Sequence, residues 1–326
     1  MSDDQQSPVS DYLTELTWRL TIGAARLEES RRRRHLEFFQ RAQRDDGGFP
    51  GRDLGASDLY YTGFGVRALA VLGGMTPEAA SHVAGFLRQR LAGKESIVDL
   101  FSLIYAANIV HTLAEIDVFG ESRSDWRDAI SGYFSSLRRE DGGYAKGSDG
   151  HSSSTYHTFL VLLCQQLSGI AVAEPERIVE FLRGREAADG GFHEIRVSKR
   201  AGTNPTAAAM AALRVMDGVD KSVGERTIEF LLDMQTEEGG LRANSRIPIA
   251  DVLSTFTGMV TLADLNALDE LDLASIARYV ESLEHSEGGF HGAVWDEQTD
   301  VEYSFYGLGC LALLNTAHDG PMRAES

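Results

Sequence analysis

Three aspartates, Asp58, Asp251 and Asp300, stand at corresponding places in this chain. Each follows a glycine pair by a short polar loop and directly precedes a strongly apolar segment. Carboxylates that converge on one point are what a metal or another cation uses. Taken singly, each is also what a helix N-cap uses, and both readings stay open here. The later loops of the same kind carry Arg196, Lys199, Arg200, Arg242 and Arg246. Such cations suit a diphosphate, held by point charges or guanidinium forks, although solvated loop cations look the same. The apolar segments carry aromatics, among them Tyr60, Phe64, Tyr105, Tyr156, Phe256 and Phe305. Aromatic walls below a polar rim would hold a long apolar ligand with a polar head; aromatics at helical spacing also fill ordinary cores.

What positions these residues is a repeat. Two glycines followed by an apolar residue recur as Gly47-Gly48-Phe49, Gly142-Gly143-Tyr144, Gly190-Gly191-Phe192, Gly239-Gly240-Leu241 and Gly288-Gly289-Phe290. The steps between first glycines are 95, 48, 49 and 49 residues. The first step is two periods, so a worn copy is expected near Gly93-Lys94-Glu95, making six units. A fixed period in the range of about 20–50 residues signals a repeat architecture. Each glycine pair stops a helix, a polar loop follows, and a second helix opens on a small polar or acidic residue. The expected openers are Asp58, Asp99, Ser153 or Ser154, Thr203-Asn204-Pro205, Asp251 and Asp300. Asp11 to Arg44 reads as helical with an interruption at Gly23.

The helices opened this way are apolar all round, as in Thr206 to Val215, whereas those between, such as Val223 to Met234, are amphipathic. The first kind is buried and the second has a solvent face, so each repeat supplies one inner and one outer helix. No segment shows strand alternation with hairpin turns. An open stack would need a polar capping repeat, but the last unit is as apolar as the middle ones. The expected fold is therefore all-α, a closed (α/α)6 toroid over residues 11–316 flanked by frayed ends at 1–10 and 317–326. The inner-helix N-termini gather at one mouth, where their N–H groups and dipoles favour an anion.

Composition excludes several partners. The net charge of −18 argues against nucleic acid and against an anionic membrane surface. No uncharged apolar run reaches the roughly 18 residues of a membrane span. The polar, acidic start from Met1 to Ser10 is read as a cytoplasmic N-terminus. Cys164 and Cys310, both in apolar helical runs, give no disulfide framework or metal spacing and are assigned to the core. The basic run Arg31–Arg34, after Glu28-Glu29, reads as a solvated helix face with local ion pairs. His157, inside an inner helix, reads as a hydrogen-bonded core histidine.

Six repeats, the chain length, and the phrases Gly239-Gly240-Leu241 … Asp251-Val252 and Asp300 … Ser304-Phe305-Tyr306-Gly307-Leu308 resemble the β subunits of protein prenyltransferases, Rab geranylgeranyltransferase β in particular. The wider superfamily includes squalene and other terpene cyclases. The resemblance implies an isoprenoid diphosphate bound in a central aromatic cavity, an α-subunit-like protein partner, and chemistry at Asp251, Asp300 and Tyr303. In that family zinc activates an acceptor thiolate through an Asp, a Cys two residues later, and a His one repeat on. Here Asp251 keeps the first position, while Leu253 and Tyr303 occupy the other two. Leucine cannot ligate zinc and neutral tyrosine ligates it poorly, so the zinc mechanism is in doubt and the cofactor is unknown. The family's diphosphate-binding His falls at Arg200, one repeat after His151, and its Arg and Lys fall near Arg242 and Arg246 in a loop one residue longer. The cyclases' Asp-x-Asp-Asp acid motif is absent; Asp58-Leu59-Tyr60-Tyr61 stands in a comparable place. Two functions remain: a prenyltransferase-type enzyme that transfers its isoprenoid to an unknown acceptor without the usual zinc triad, or a non-catalytic lipid-binding or protein-interaction member of the same fold.

Overall fold

A computed structural model describes residues 11–53, 55–91, 96–120 and 123–317. The worn copy at Gly93-Lys94-Glu95 and the expected ends at 1–10 and 318–326 lie outside the described residues. Six inner helices form a closed ring: α3 (Leu59–Val71), α5 (Ile97–Ala114), α7 (Thr155–Ser168), α9 (Thr203–Val215), α11 (Val252–Asp264) and α13 (Val301–Thr316). Each packs on the next, and α13 returns to pack on α3. Outside them run α2 (Glu29–Ala42), α4 (Pro77–Arg90), α6 (Arg123–Leu137), α8 (Pro175–Arg183), α10 (Lys221–Leu232) and α12 (Leu273–Ser282). The inner helices bury most of their length, whereas α8 buries only Ile178, Phe181 and Leu182. The mean hydropathy of 1.6 over the 18 residues of α5 would suit a membrane span, but α5 is a ring stave packed between α3 and α7.

The glycine pair does more than end a helix. The first glycine of each of the five copies has positive φ, from +85° at Gly190 to +103° at Gly239. A Cβ there would lie 2.1–2.4 Å from a carbonyl oxygen of the next outer helix: Gly47 under His82, Gly142 under Arg177, Gly190 under Arg226, Gly239 under Ser275. Gly288, in the last unit, lies in the same way under Arg34 of α2, so the series closes on itself. The apolar residue after each pair plugs in beneath, fully buried, and its N–H donates to a hydroxyl on the inner helix. These bonds run from Phe49 to Thr62, Tyr144 to Thr158, Phe192 to Thr206, Leu241 to Thr255 and Phe290 to Ser304, at 2.8–3.0 Å.

The basic run on α2 takes part in this closure. Arg31 and His35 bond Glu284 at 2.5 and 3.0 Å, Arg34 reaches the same carboxylate, and His35 Nδ1 accepts from the Gly289 N–H at 3.1 Å. The arginines therefore bind the first outer helix to the last unit, rather than pairing locally as their spacing predicts. Burial pushes the Glu284 carboxyl up, but its bonds to His35, Arg31 and Arg34 outweigh that and hold it at about 2.

The start of the chain also departs from expectation. It forms two helices, broken at 26–28, and Gly23 lies inside the first, α1 (Tyr12–Ala25). That glycine does not interrupt the helix: a Cβ on it would lie 2.0 Å from the Ala312 carbonyl oxygen, so it lets α1 press onto α13. α1 belongs to no helix pair. Thr17 meets Tyr105 of α5 at 2.7 Å, the Tyr12 ring meets Phe159 of α7, and Glu15 pairs with Arg214 of α9 at 2.7 Å. Arg19 pairs with Asp264 of α11 at 2.8 Å, and Asn315 of α13 donates to Gly23 O at 3.0 Å. Because α1 also packs on α3, it touches all six staves. Arg214, Asp264 and Asn315 stand in the last turns of their helices, so α1 crosses and closes the C-terminal end of the ring.

Three smaller differences concern local structure. Ser96, not Asp99, caps α5 by accepting from the Asp99 N–H, while α7 opens on Ser154, one of the two serines expected there. The N-cap of α9 is Gly202, which has no side chain to offer. Two antiparallel pairs of two-residue strands, β1 (Phe49–Pro50) with β2 (Ser57–Asp58) and β3 (Tyr144–Ala145) with β4 (Ser153–Ser154), brace two mouth loops without altering the helical class.

Gly288→Ala is expected to lower the unfolding free energy by about 1–3 kcal/mol through overpacking and strain, whereas Gly85→Ala, in an open site on α4, should raise it by up to about 1 kcal/mol. Thermal melts of the two variants check both signs. The Glu284 pairing contributes roughly 2–3 kcal/mol, present above the usual value of 4.5 and lost as pH falls from there towards about 2. Melts between pH 5 and 2 should show that acid limb, and Glu284→Gln should flatten it.

Candidate functional site

The inner-helix N-termini gather at one end of the ring, and α1 packs against all six inner helices. All three acids at the mouth act as caps: Asp58 accepts from the Tyr61 N–H at 2.9 Å, Asp251 from Ser254 at 2.7 Å, and Asp300 from Tyr303 at 2.8 Å. Their surroundings differ. Asp58 is exposed. Asp300 is buried and pairs with Arg52 Nε at 2.5 Å, while the same guanidinium holds Asp296 at 2.6 Å and lies 4.6 Å from the Tyr303 ring centroid. Asp251 uses both oxygens on Ser254, N–H and Oγ, and burial pushes its carboxyl up.

Below the mouth the wall is aromatic. Phe64 packs against Phe305 and Tyr306, and Phe256 against the same two rings, at centroid distances of 5.2–5.8 Å. Tyr60 lies 5.1 Å from Phe64, and Tyr105 stands deeper, hydrogen-bonded to α1. Tyr156 is 37% exposed, yet burial is the main reason its phenol is pushed up to about 12. Of the six aromatics expected to line a pocket, Tyr60, Phe64, Phe256 and Phe305 form one cluster, Tyr105 meets it through Arg67, and the Tyr156 ring lies against His157.

Three charged residues complete the site and were not singled out by sequence reasoning. Arg52 has been described. Arg67 lies eight residues into α3, about 12 Å below the mouth at the helical rise. Its guanidinium carbon is 4.1, 4.9 and 5.6 Å from the ring centroids of Phe64, Phe305 and Tyr105. Its Nε–H donates to Gly63 O at 2.9 Å, and no carboxylate among the described residues forms an ion pair with it. Glu302, in the first turn of α13, accepts from the Tyr60 hydroxyl at 2.6 Å, and Tyr306 OH lies 3.5 Å away. Burial pushes its carboxyl up, against the bond from Tyr60. A signal for Arg67 exists: it is the one charge between Thr62 and Leu72. Cations this close to several ring faces are held by the ring quadrupoles, and a carboxyl biased toward its neutral form can donate as well as accept a proton.

The expected diphosphate ligands sit differently from one another. Arg200 and Arg246 are exposed on neighbouring mouth loops. Arg242 turns back to donate to Asp233 O at 2.9 Å, near the end of α10. His151 is exposed, and His157 bonds Ser154 Oγ through Nδ1 at 2.7 Å; it is hydrogen-bonded as expected, but half-buried rather than in the core. Cys164 and Cys310 are fully buried, and burial raises both thiols.

The donor set does not fit zinc. Leu253 offers no ligating atom, the Asp251 oxygens are engaged, burial raises the Tyr303 phenol, and Arg52 places a positive charge on its ring.

A closed ring of six helix pairs around an aromatic lumen defines the class: an (α/α)6 toroid with one end plugged. The chain belongs to the prenyltransferase alpha-alpha toroid domain family, whose model matches residues 12–93 and 86–324. Comparison with curated proteins gives no match. Among solved structures it is similar to Candida albicans protein geranylgeranyltransferase-I complexed with GGPP, at TM-score 0.69 and 16% identity, covering 87% of this chain and 91% of that one. It is also similar to a variant of the type II terpene cyclase MstE from Scytonema in complex with geranylgeranyl dihydroxybenzoate, at TM-score 0.60 and 15% identity, covering 93% and 99%. An α-1,6-mannanase from Salegentibacter matches at TM-score 0.59 and 12% identity, covering 92% and 98%. These likenesses share a fold across different chemistries, and the site must choose among them.

Leu253→Cys combined with Tyr303→His should convert the protein to one that retains stoichiometric zinc after dialysis, as read by metal analysis. The unaltered protein should retain none, and stoichiometric zinc in it would contradict the positional assignment.

Proposed function

We propose that the lumen holds a long isoprenoid, with its tail down among Phe64, Phe256 and Phe305 towards α1 and its diphosphate at the mouth. The cluster of aromatic rings inside the ring of helices, beneath the inner-helix N-termini, carries this reading. At the rim, Arg200 and Arg246 take the diphosphate and the inner-helix N-termini add N–H donors; Arg242 serves as a helix-end cap. The finer likeness is to the Rab geranylgeranyltransferase β subunit, with an α-subunit-like protein as the further partner. If a transfer takes place, the diphosphate leaves with the electrons of its C–O bond, drawn off by the rim cations. The rings of Phe64, Phe305 and Tyr306 then face the allylic cation, and Glu302 is placed to take or give a proton beside it. The second reading, a lipid-binding protein without catalysis, is favoured by the loss of the zinc donors at Leu253 and Tyr303.

Isothermal titration with geranylgeranyl diphosphate, farnesyl diphosphate and geranylgeraniol tests the proposal. Binding of a diphosphate is expected, with Arg200→Ala and Arg246→Ala each weakening it by about tenfold, the loss of one charge-assisted contact. Equal affinity for the free alcohol would place the head group elsewhere, and no binding of any of the three would overturn the reading. Labelled product in an incubation with candidate acceptors separates transfer from storage.

A further inference from the structure

The surface around the mouth is unlike the rest of the molecule. Nine large apolar side chains are exposed among the described residues, and five of them fall on three mouth loops: Val197, Val294 and Trp295 strongly, Ile247 and Ile249 less so. Val197 is 78% exposed and Trp295 70%. These loops are neighbours in space. Thr203, at the head of α9, donates its N–H to Ala243 O at 2.9 Å and its hydroxyl to Arg242 O at 2.6 Å. Val252, at the head of α11, donates to Gly292 O at 2.9 Å. The loops of the fourth, fifth and sixth units are thereby stitched side by side, and their apolar tips share one edge of the mouth.

Charge is segregated in the same place. Residues 193–202 and 242–250 carry five Arg or Lys against the single acid Glu194, in a chain whose net charge is −18. The cations alternate with the apolar tips, as in Arg196-Val197 and Arg246-Ile247. The third loop adds Val294 and Trp295; of its acids, Asp296 is taken up by Arg52 and Glu297 is exposed. An exposed apolar patch of this kind marks a binding surface. Aliphatic tips, an exposed tryptophan and interleaved cations match the two attractions that hold a protein at a bilayer interface: burial of apolar tips, and charge against anionic headgroups.

We infer that this edge of the mouth docks on an anionic lipid bilayer, so that a lipid passes between membrane and lumen without crossing water. The inference rests on the lumen reading for its cargo, but docking itself needs no lumen ligand, so the two can fail separately. The whole-molecule charge, which argues against such a surface, averages over a distribution that the fold has sorted. The acidic remainder orients the molecule, turning the rim toward the membrane and the other faces away.

The test is co-sedimentation of the full chain with phosphatidylcholine vesicles, with and without about 30% phosphatidylglycerol, near about 0.15 M salt. Binding is expected only with the anionic lipid, falling as salt rises. Arg196→Glu with Lys199→Glu should weaken it by roughly tenfold or more, each cation near the surface being worth about fivefold. Val197→Glu with Trp295→Glu should abolish it, while Trp18→Glu, which alters an exposed side chain on α1 at the closed end, should leave it unchanged. Circular dichroism and melting curves confirm that each variant is folded. The inference is overturned if the unaltered protein stays in the supernatant, or if Trp18→Glu removes binding and the rim variants do not. A concentration-dependent dimer that Trp295→Glu dissociates, with no vesicle binding, would overturn it in favour of a second copy of the chain.

Discussion

The fold depends on one contact made again and again around the ring: a glycine backbone lying under a carbonyl of the next outer helix. No residue with a Cβ can stand there, because the atom would lie within 2.4 Å of that oxygen, and the positive φ disfavours any other residue as well. The contact joins each unit to its successor, so six units can stack indefinitely or return to the first. Gly288 under Arg34, with Glu284 held by Arg31, Arg34 and His35, makes the return. Closure removes the exposed apolar end that an open stack must cap with polar residues, and it creates an interior that no single repeat possesses.

That interior is shaped by a helix outside the repeat. α1 packs against all six inner helices and meets α9, α11 and α13 at their last turns. Gly23 permits the approach to α13, and the ion pairs of Arg19, Glu15, Arg214 and Asp264 fix the crossing. Within the well, Arg67 and Glu302 with Tyr60 form a polar patch among aromatics. Burying such groups is costly unless something satisfies them; here the Gly63 carbonyl and three ring faces hold Arg67, and the Tyr60 hydroxyl holds Glu302.

The mouth separates residues that look alike in sequence. Asp58, Asp251 and Asp300 share a position and a capping bond, yet one is solvated, one is buried beside its own serine, and one is neutralised by Arg52. Similarly, Arg242 bonds a helix end while Arg200 and Arg246 remain at the rim. A repeat makes positions equivalent in the backbone; the loops then give each its own partners, and chemistry is decided there.

The spacing of the glycine pairs by itself determined the period, the number of units, the alternation of buried and amphipathic helices, and which end of each inner helix faces the mouth. These are local properties: a helix stop, a cap and a hydrophobic stripe act within a few turns and leave a pattern in the chain. It also put aromatics on the inner helices, of which Tyr60, Phe64, Phe256 and Phe305 form one cluster. Only the tertiary structure decided that Asp11 to Arg44 splits so that α1 becomes a floor, that the basic run of α2 closes the ring, and that Arg52 occupies Asp300. It alone set Arg67 near Glu302, and gathered the apolar tips of three loops at one edge. Arg52 is about 250 residues from Asp300 along the chain, and Arg67 about 235 from Glu302; pairings at such separations leave no periodic trace and exist only once the ring has closed.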